Sequence, residues 1–135
     1  MHENKIKKIE NLHKLTNIRV INLSCNDIEV FEGVDNLTRL MELNLRKNKI
    51  SQLKSVHNVP SLQKLFLSYN NIESGISALS NIKSLNELTL ERNPIEDKPD
   101  FISELSTFFP DLKYYNLRKI EKEEGKWNLS PKKIT

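Results

Sequence analysis

Apolar residues along this chain follow two alternating rhythms. Four segments share one spacing: Ile18 to Ile28, Leu40 to Ile50, Leu62 to Ile72 and Leu85 to Ile95. Each reads L-x-x-L-x-L-x-x-N-x-I, with isoleucine replacing the first two leucines in the first segment. The fourth and sixth residues (Ile21 and Leu23, Leu43 and Leu45, Leu65 and Leu67, Leu88 and Leu90) alternate around a fifth that need not be apolar. That alternation predicts a short strand with one buried face. Between the strands the apolar period changes to three, as in Ile28, Phe31, Val34, Leu37, Leu40 and in Ile50, Leu53, Val56, Val59, Leu62. A period of three predicts 3₁₀-type turns that keep one face inward. The third interval, from Ile72 through Ile76, Leu79 and Ile82 to Leu85, carries one extra residue. Gly75 beside the insertion has the backbone freedom to absorb it.

The asparagines of the four segments lie 48 − 26 = 22, 70 − 48 = 22 and 93 − 70 = 23 residues apart. A unit recurring at this period predicts a stack in which each turn buries its apolar face against the next. The fold class is therefore α/β: a solenoid with a short-stranded parallel sheet on its concave side, 3₁₀ and other turns on its convex side, and a helical cap. Asn26, Asn48, Asn70 and Asn93 sit where the chain turns sharply. An amide side chain carries both donors and an acceptor, so these four are expected to satisfy backbone groups that stacking buries.

Three regions are expected: repeats over 1–95, a C-terminal cap over 96–120 and a charged tail over 121–135. In the cap, Phe101, Ile102, Leu105, Phe108 and Leu112 recur at helical spacing, with Asp97 and Pro99 at the start and Pro110 at the stop. Ile120 stands where a repeat asparagine would fall, so the ladder is expected to end before it. The tail mixes charges with little hydrophobicity and is expected to be mobile. Its Trp127 either folds back on the cap or anchors a partner. At the other end, Asn4-Lys5-Ile6 matches the tail of an earlier unit, and the first repeat is partial. Further repeats before residue 4 are expected, the alternative being a tolerated open edge.

Composition narrows the chemistry. The net charge of +3 is too small to point to nucleic-acid binding. A single cysteine, Cys25, forbids an internal disulfide. No apolar run reaches the length of a membrane span, and a cytoplasmic location is expected. His2, His13 and His57 lie outside the strands, and no catalytic constellation, glycine-rich phosphate loop or zinc spacing occurs. No enzyme activity, metal or cofactor is expected.

What remains is surface. The exposed strand positions line the expected concave face, and the candidate partner-binding residues there are Glu42, Asn44, Arg46, Lys64, Phe66, Tyr69, Glu87, Glu91, Tyr114 and Arg118. Phe66 lies at the centre of this set and is expected to point at solvent, since aromatic and arginine side chains dominate interface centres. A protein partner is expected on this face, with no membrane contact and with the chain monomeric outside its complex. Glu42, Glu87 and Glu91 interrupt the basic residues, which argues against nucleic acid.

These residues resemble the 22-residue class of intracellular leucine-rich-repeat proteins over positions 4 to about 120. That class includes a regulatory subunit of protein phosphatase 1, a spliceosomal A-prime protein and the leucine-rich light chain of axonemal dynein. The stretch from Arg92-Asn-Pro-Ile95 to Phe109-Pro110-Asp-Leu112 is similar to the class's C-terminal cap. Tyr115 and Asn116 depart from it where leucine and aspartate are common. Leu43 to Arg46, Leu65 to Ile72, Asn93 to Ile95 and Arg118 to Glu124 resemble leucine-rich-repeat subunits of the tubulin polyglutamylase complex. The resemblance implies a non-enzymatic scaffold in a microtubule-modifying or ciliary complex, placed at the cytoskeleton or cilium. A phosphatase regulator or a splicing-associated assembly factor is the alternative.

Overall fold

The computed structural model describes residues 4–124 and 126–130. The alternating segments form β1 (Val20–Asn22), β3 (Glu42–Asn44), β5 (Lys64–Phe66) and β6 (Glu87–Thr89). They stack in parallel with Ile21, Leu43, Leu65 and Leu88 in register and turned inward. β7 (Tyr114–Tyr115) adds a fifth parallel strand, with Leu88 facing Tyr115. The core is one continuous column of leucine, isoleucine, valine and phenylalanine running the length of the stack.

The period-three intervals differ from the expected 3₁₀ turns. In the first two, β2 (Val30–Phe31) and β4 (Gln52–Leu53) are extended and pair with each other in parallel. Only the third interval forms a 3₁₀ turn, Ile76–Leu79, preceded by Gly75 at φ 89. Extended polyproline-like backbone also repeats every three residues, so period alone does not separate the two. The extra residue of the third interval accompanies the switch.

The asparagine ladder is present. Each Nδ2 donates to the carbonyl three residues earlier in its own coil, as Asn48 does to Leu45 at 3.0 Å. It also donates to the coil before, as Asn48 to Leu23, Asn70 to Leu45 and Asn93 to Leu67. Each Oδ1 accepts the N–H of the preceding coil's isoleucine: Ile6, Ile28, Ile50 and Ile72. A second asparagine row lies on the opposite side of the coils. Asn11, Asn36 and Asn58 adopt left-handed φ, and Asn58 donates to Asn36 at 3.1 Å.

The C-terminal end departs furthest from expectation. Helix α1 (Phe101–Phe108) begins after Asp100, while Pro94–Asp97 forms a separate 3₁₀ turn that takes Asp97 out of the helix. The described part of the expected tail, 121–124 and 126–130, is folded where a mobile segment was expected. β8 (Arg118–Glu123) and β9 (Lys126–Leu129) form an antiparallel hairpin that extends the sheet to seven strands. Asn116 and Leu117, both at left-handed φ, make the two-residue turn into β8. Ile120, Trp127 and Leu129 alternate with polar residues and pack against the core, Trp127 beside α1. Residues 131–135, part of the expected tail, lie outside the described residues.

Candidate functional site

The face of the main sheet turned away from the core carries the exposed strand positions. Glu42, Lys64, Glu87 and Tyr114 align in register across β3, β5, β6 and β7. The charges of the first three alternate in sign and Tyr114 is uncharged. Lys64, Glu87 and Tyr114 join Gln63, Asn86, Lys113 and Leu117 around a cleft of about 480 Å³. Tyr114 and Leu117 are 36% and 39% exposed, which gives the cleft an apolar wall. Leucine rarely adopts the left-handed φ of 66° held here, and the turn that forces it sets its side chain beside the cleft.

The next row, Asn22, Asn44, Phe66, Thr89 and Asn116, closes progressively toward the C-terminal end. Asn22 is exposed and Asn44 half-buried, but Phe66, Thr89 and Asn116 are buried. This corrects the expectation for Phe66. The ring lies on the predicted face, and it does not point at solvent: it is 8% exposed, with the Arg46 guanidinium 4.4 Å from its centroid. Register placed the residue, but only packing decides whether a long neighbour folds over it. Thr89 is flanked by Phe66 in register and by Asn116, whose N–H donates to Leu88. Its hydroxyl is buried and has no hydrogen-bond partner among the described residues.

Asn116 also inherits the ladder at the cap. Its Oδ1 accepts from Leu90 N at 2.8 Å, and its Nδ2 donates to Glu96 Oε2 at 2.6 Å. Tyr115 Oη donates to the same carboxylate oxygen at 2.6 Å. Burial, then this hydrogen bond, pushes the Tyr115 phenol far above its ordinary range. The two residues that depart from the family's cap pattern thus jointly anchor Glu96.

The remaining candidates lie along the upper rim. Lys47 Nζ sits 5.9 Å from the Tyr69 ring centroid, and Tyr69 is 48% exposed. Glu91 and Arg118 line a separate cavity with Glu96, Ile102, Tyr115, Asn116 and Leu129. The ten predicted residues therefore fall into three groups rather than one patch. Lys47, Arg92, Lys113 and Leu117 were missed, because strand alternation ranks neither the turn beyond the strand nor the residues flanking it. Among the described residues no acidic, histidine or cysteine cluster is arranged to hold a metal, and no helix is long and apolar enough to cross a membrane.

The sequence profile of the leucine-rich-repeat family matches residues 1–129. The chain belongs to the leucine-rich-repeat family. Its fold is that of a leucine-rich-repeat solenoid, with a parallel sheet and few helices. It is similar to a chain in the crystal structure of the Drosophila melanogaster SNF/U2A′ complex, with a TM-score of 0.86 and 29% identity. That match covers 93% of this chain and 75% of the other. A leucine-rich-repeat protein of Leptospira interrogans shares the fold at a TM-score of 0.64 and 23% identity, over 76% of this chain and 26% of that one. No curated protein matches the chain at a significant level. Leucine-rich-repeat domains are interaction modules that hold protein partners, as in the SNF/U2A′ complex.

Proposed function

We propose that this leucine-rich-repeat protein is a non-enzymatic scaffold that holds a partner protein against the open face of its main sheet. The observation that carries this reading is the cleft across β5, β6 and β7, where Tyr114 and Leu117 offer apolar surface among Lys64, Glu87 and Lys113. Aromatic and aliphatic side chains ringed by charge are the composition of interface centres, where few residues carry most of the binding energy.

The likeness to the U2A′ structure, solved with SNF, supports an assembly of that kind, a splicing-associated one. The microtubule-modifying reading rests on sequence resemblance alone. Within its longest match, Leu65, Leu67 and Ile72 build the core and Asn70 the ladder, so those residues speak for the fold. The phosphatase-regulator reading rests on the wider class.

Affinity capture from cell extract with wild type and with a Tyr114→Ser/Leu117→Asn variant tests the proposal. Asparagine suits the left-handed φ at 117, so the variant folds. At least one stoichiometric partner is expected to be lost from the variant, its affinity falling roughly tenfold or more. Retention of every partner would overturn the reading. Splicing, polyglutamylase or phosphatase proteins among the lost partners separate the three assemblies.

A further inference from the structure

Three cations stand along the upper rim of the sheet, just beyond the ends of β3 and β6. Lys49 pairs with Asp27, and Lys54 with Glu32, each at 3.3 Å. The row Glu42, Lys64, Glu87 alternates in sign. Arg46, Lys47 and Arg92 make no ion pair among the described residues. The first two rest instead on the faces of Phe66 and Tyr69. A ring face orients a cation without cancelling its charge.

The backbone fixes the spacing of these groups. Cys25, Lys47, Tyr69 and Arg92 hold equivalent positions in successive coils, all at left-handed φ between 59° and 61° except Lys47 at 56°. The coils are tied there by Cys25 N–H to Arg46 O, Lys47 N–H to Ser68 O and Tyr69 N–H to Glu91 O. Lys47, Tyr69 and Arg92 are exposed and stand one coil apart, about 4.8 Å per step. Arg46 directly precedes Lys47, and exposed Arg118 on β8 shares a cavity with Glu91 and Glu96. Glu91 is the acid on this rim, and it has a partner of its own.

We infer that this rim binds an acidic, extended segment of the partner protein, its carboxylates placed over Lys47, Arg92 and Arg46 and its backbone lying across Tyr69. The inference rests on the scaffold reading and names the chemistry of what crosses the rim. Charge complementarity carries it: Arg46, Lys47 and Arg92 outnumber the one acid beside them, Glu91, and a phenol between Lys47 and Arg92 can donate to an incoming carboxylate.

The probe is a fluorescein-labelled decaglutamate peptide, followed by anisotropy against the full chain at low and moderate salt. Wild type is expected to bind, more weakly as salt rises. Lys47→Asn/Arg92→Asn is expected to lose affinity on the order of tenfold. Asparagine tolerates left-handed φ, so this variant keeps the wild-type melting temperature. Lys83→Asn, exposed on the far side of the coils, is expected to bind as wild type. Absence of binding, equal binding by the rim variant, or equal loss in the Lys83 variant would each overturn the inference. Tighter binding of a labelled ten-nucleotide uridine oligomer than of the peptide would also overturn it, in favour of nucleic acid. Partner capture is scored at Tyr114 and Leu117, so loss of the scaffold reading shows there and loss of this inference shows at the rim.

Discussion

The guanidinium of Arg46 covers the ring of Phe66 at 4.4 Å, and together they seal the middle of the open face. Phe66 is thus a stability residue on the side of the sheet opposite the core. Phe66→Ala is expected to cost about 3 kcal/mol, the lower end for a buried phenylalanine. Arg46→Ala exposes the ring and is expected to cost less, about 0.5–1 kcal/mol from the lost cation–ring contact. Denaturant unfolding of both variants checks the order. A Phe66→Ala variant as stable as wild type would show that the ring is not covered.

Asn48 is a fully bonded rung of the ladder, as are Asn70 and Asn93. Its side chain serves Ile28 N–H and the carbonyls of Leu23, Leu45 and Arg46. Asn48→Ala leaves buried backbone groups unpaired, at about 1–3 kcal/mol for an unsatisfied group. Amide exchange should rise first at Ile28, whose N–H loses its acceptor. Unchanged protection at Ile28 would contradict the bond.

Thr89 carries a buried hydroxyl with no partner among the described residues. Replacing an unpaired buried polar group by an apolar one of similar shape removes a desolvation cost. Thr89→Val is therefore expected to match or exceed wild-type stability, by up to about 1 kcal/mol. A loss of more than that amount would reveal a hydrogen bond to this hydroxyl.

Tyr115 gives the cap a pH dependence. Its phenol is held protonated by burial and by the Glu96 carboxylate, far above the ordinary range near 10. In the unfolded chain it ionises near that ordinary value. The folded state then holds a proton that the unfolded state has lost. The stabilisation is full below about pH 10 and falls as pH rises beyond it. Tyr115→Phe is expected to lose about 1.5–3 kcal/mol at neutral pH with the bond to Glu96, and to show a shallower alkaline decline than wild type. Parallel alkaline limbs in the two proteins would exclude Tyr115 as a source.

The repeating part of this protein is legible from residue order alone. Leu43, Leu65 and Leu88 alternate with polar neighbours, and Asn26, Asn48, Asn70 and Asn93 recur at nearly constant spacing. Each makes contacts that its counterpart in the next coil repeats, so a local pattern suffices to place it. The strands, their register, the ladder and the rows of the open face follow from that regularity. Tertiary structure decided what happens where the repetition ends or where side chains bend. Whether a period of three is extended or 3₁₀ depends on pairing between coils, as Val30 and Phe31 show with Gln52 and Leu53. The hairpin strands from Arg118 to Glu123 and from Lys126 to Leu129 are alternating runs, yet their apolar residues are few, and only the uncovered end of the core gives them a surface to bury against. Phe66 was placed on the right face by alternation, while the long side chain of Arg46, from a neighbouring coil, determined that it is buried. Lys47 and Arg92 stand at equivalent positions because each coil makes the same left-handed turn there. The rings that Arg46 and Lys47 rest on come from a neighbouring coil, so that contact belongs to the assembled stack and to no single repeat.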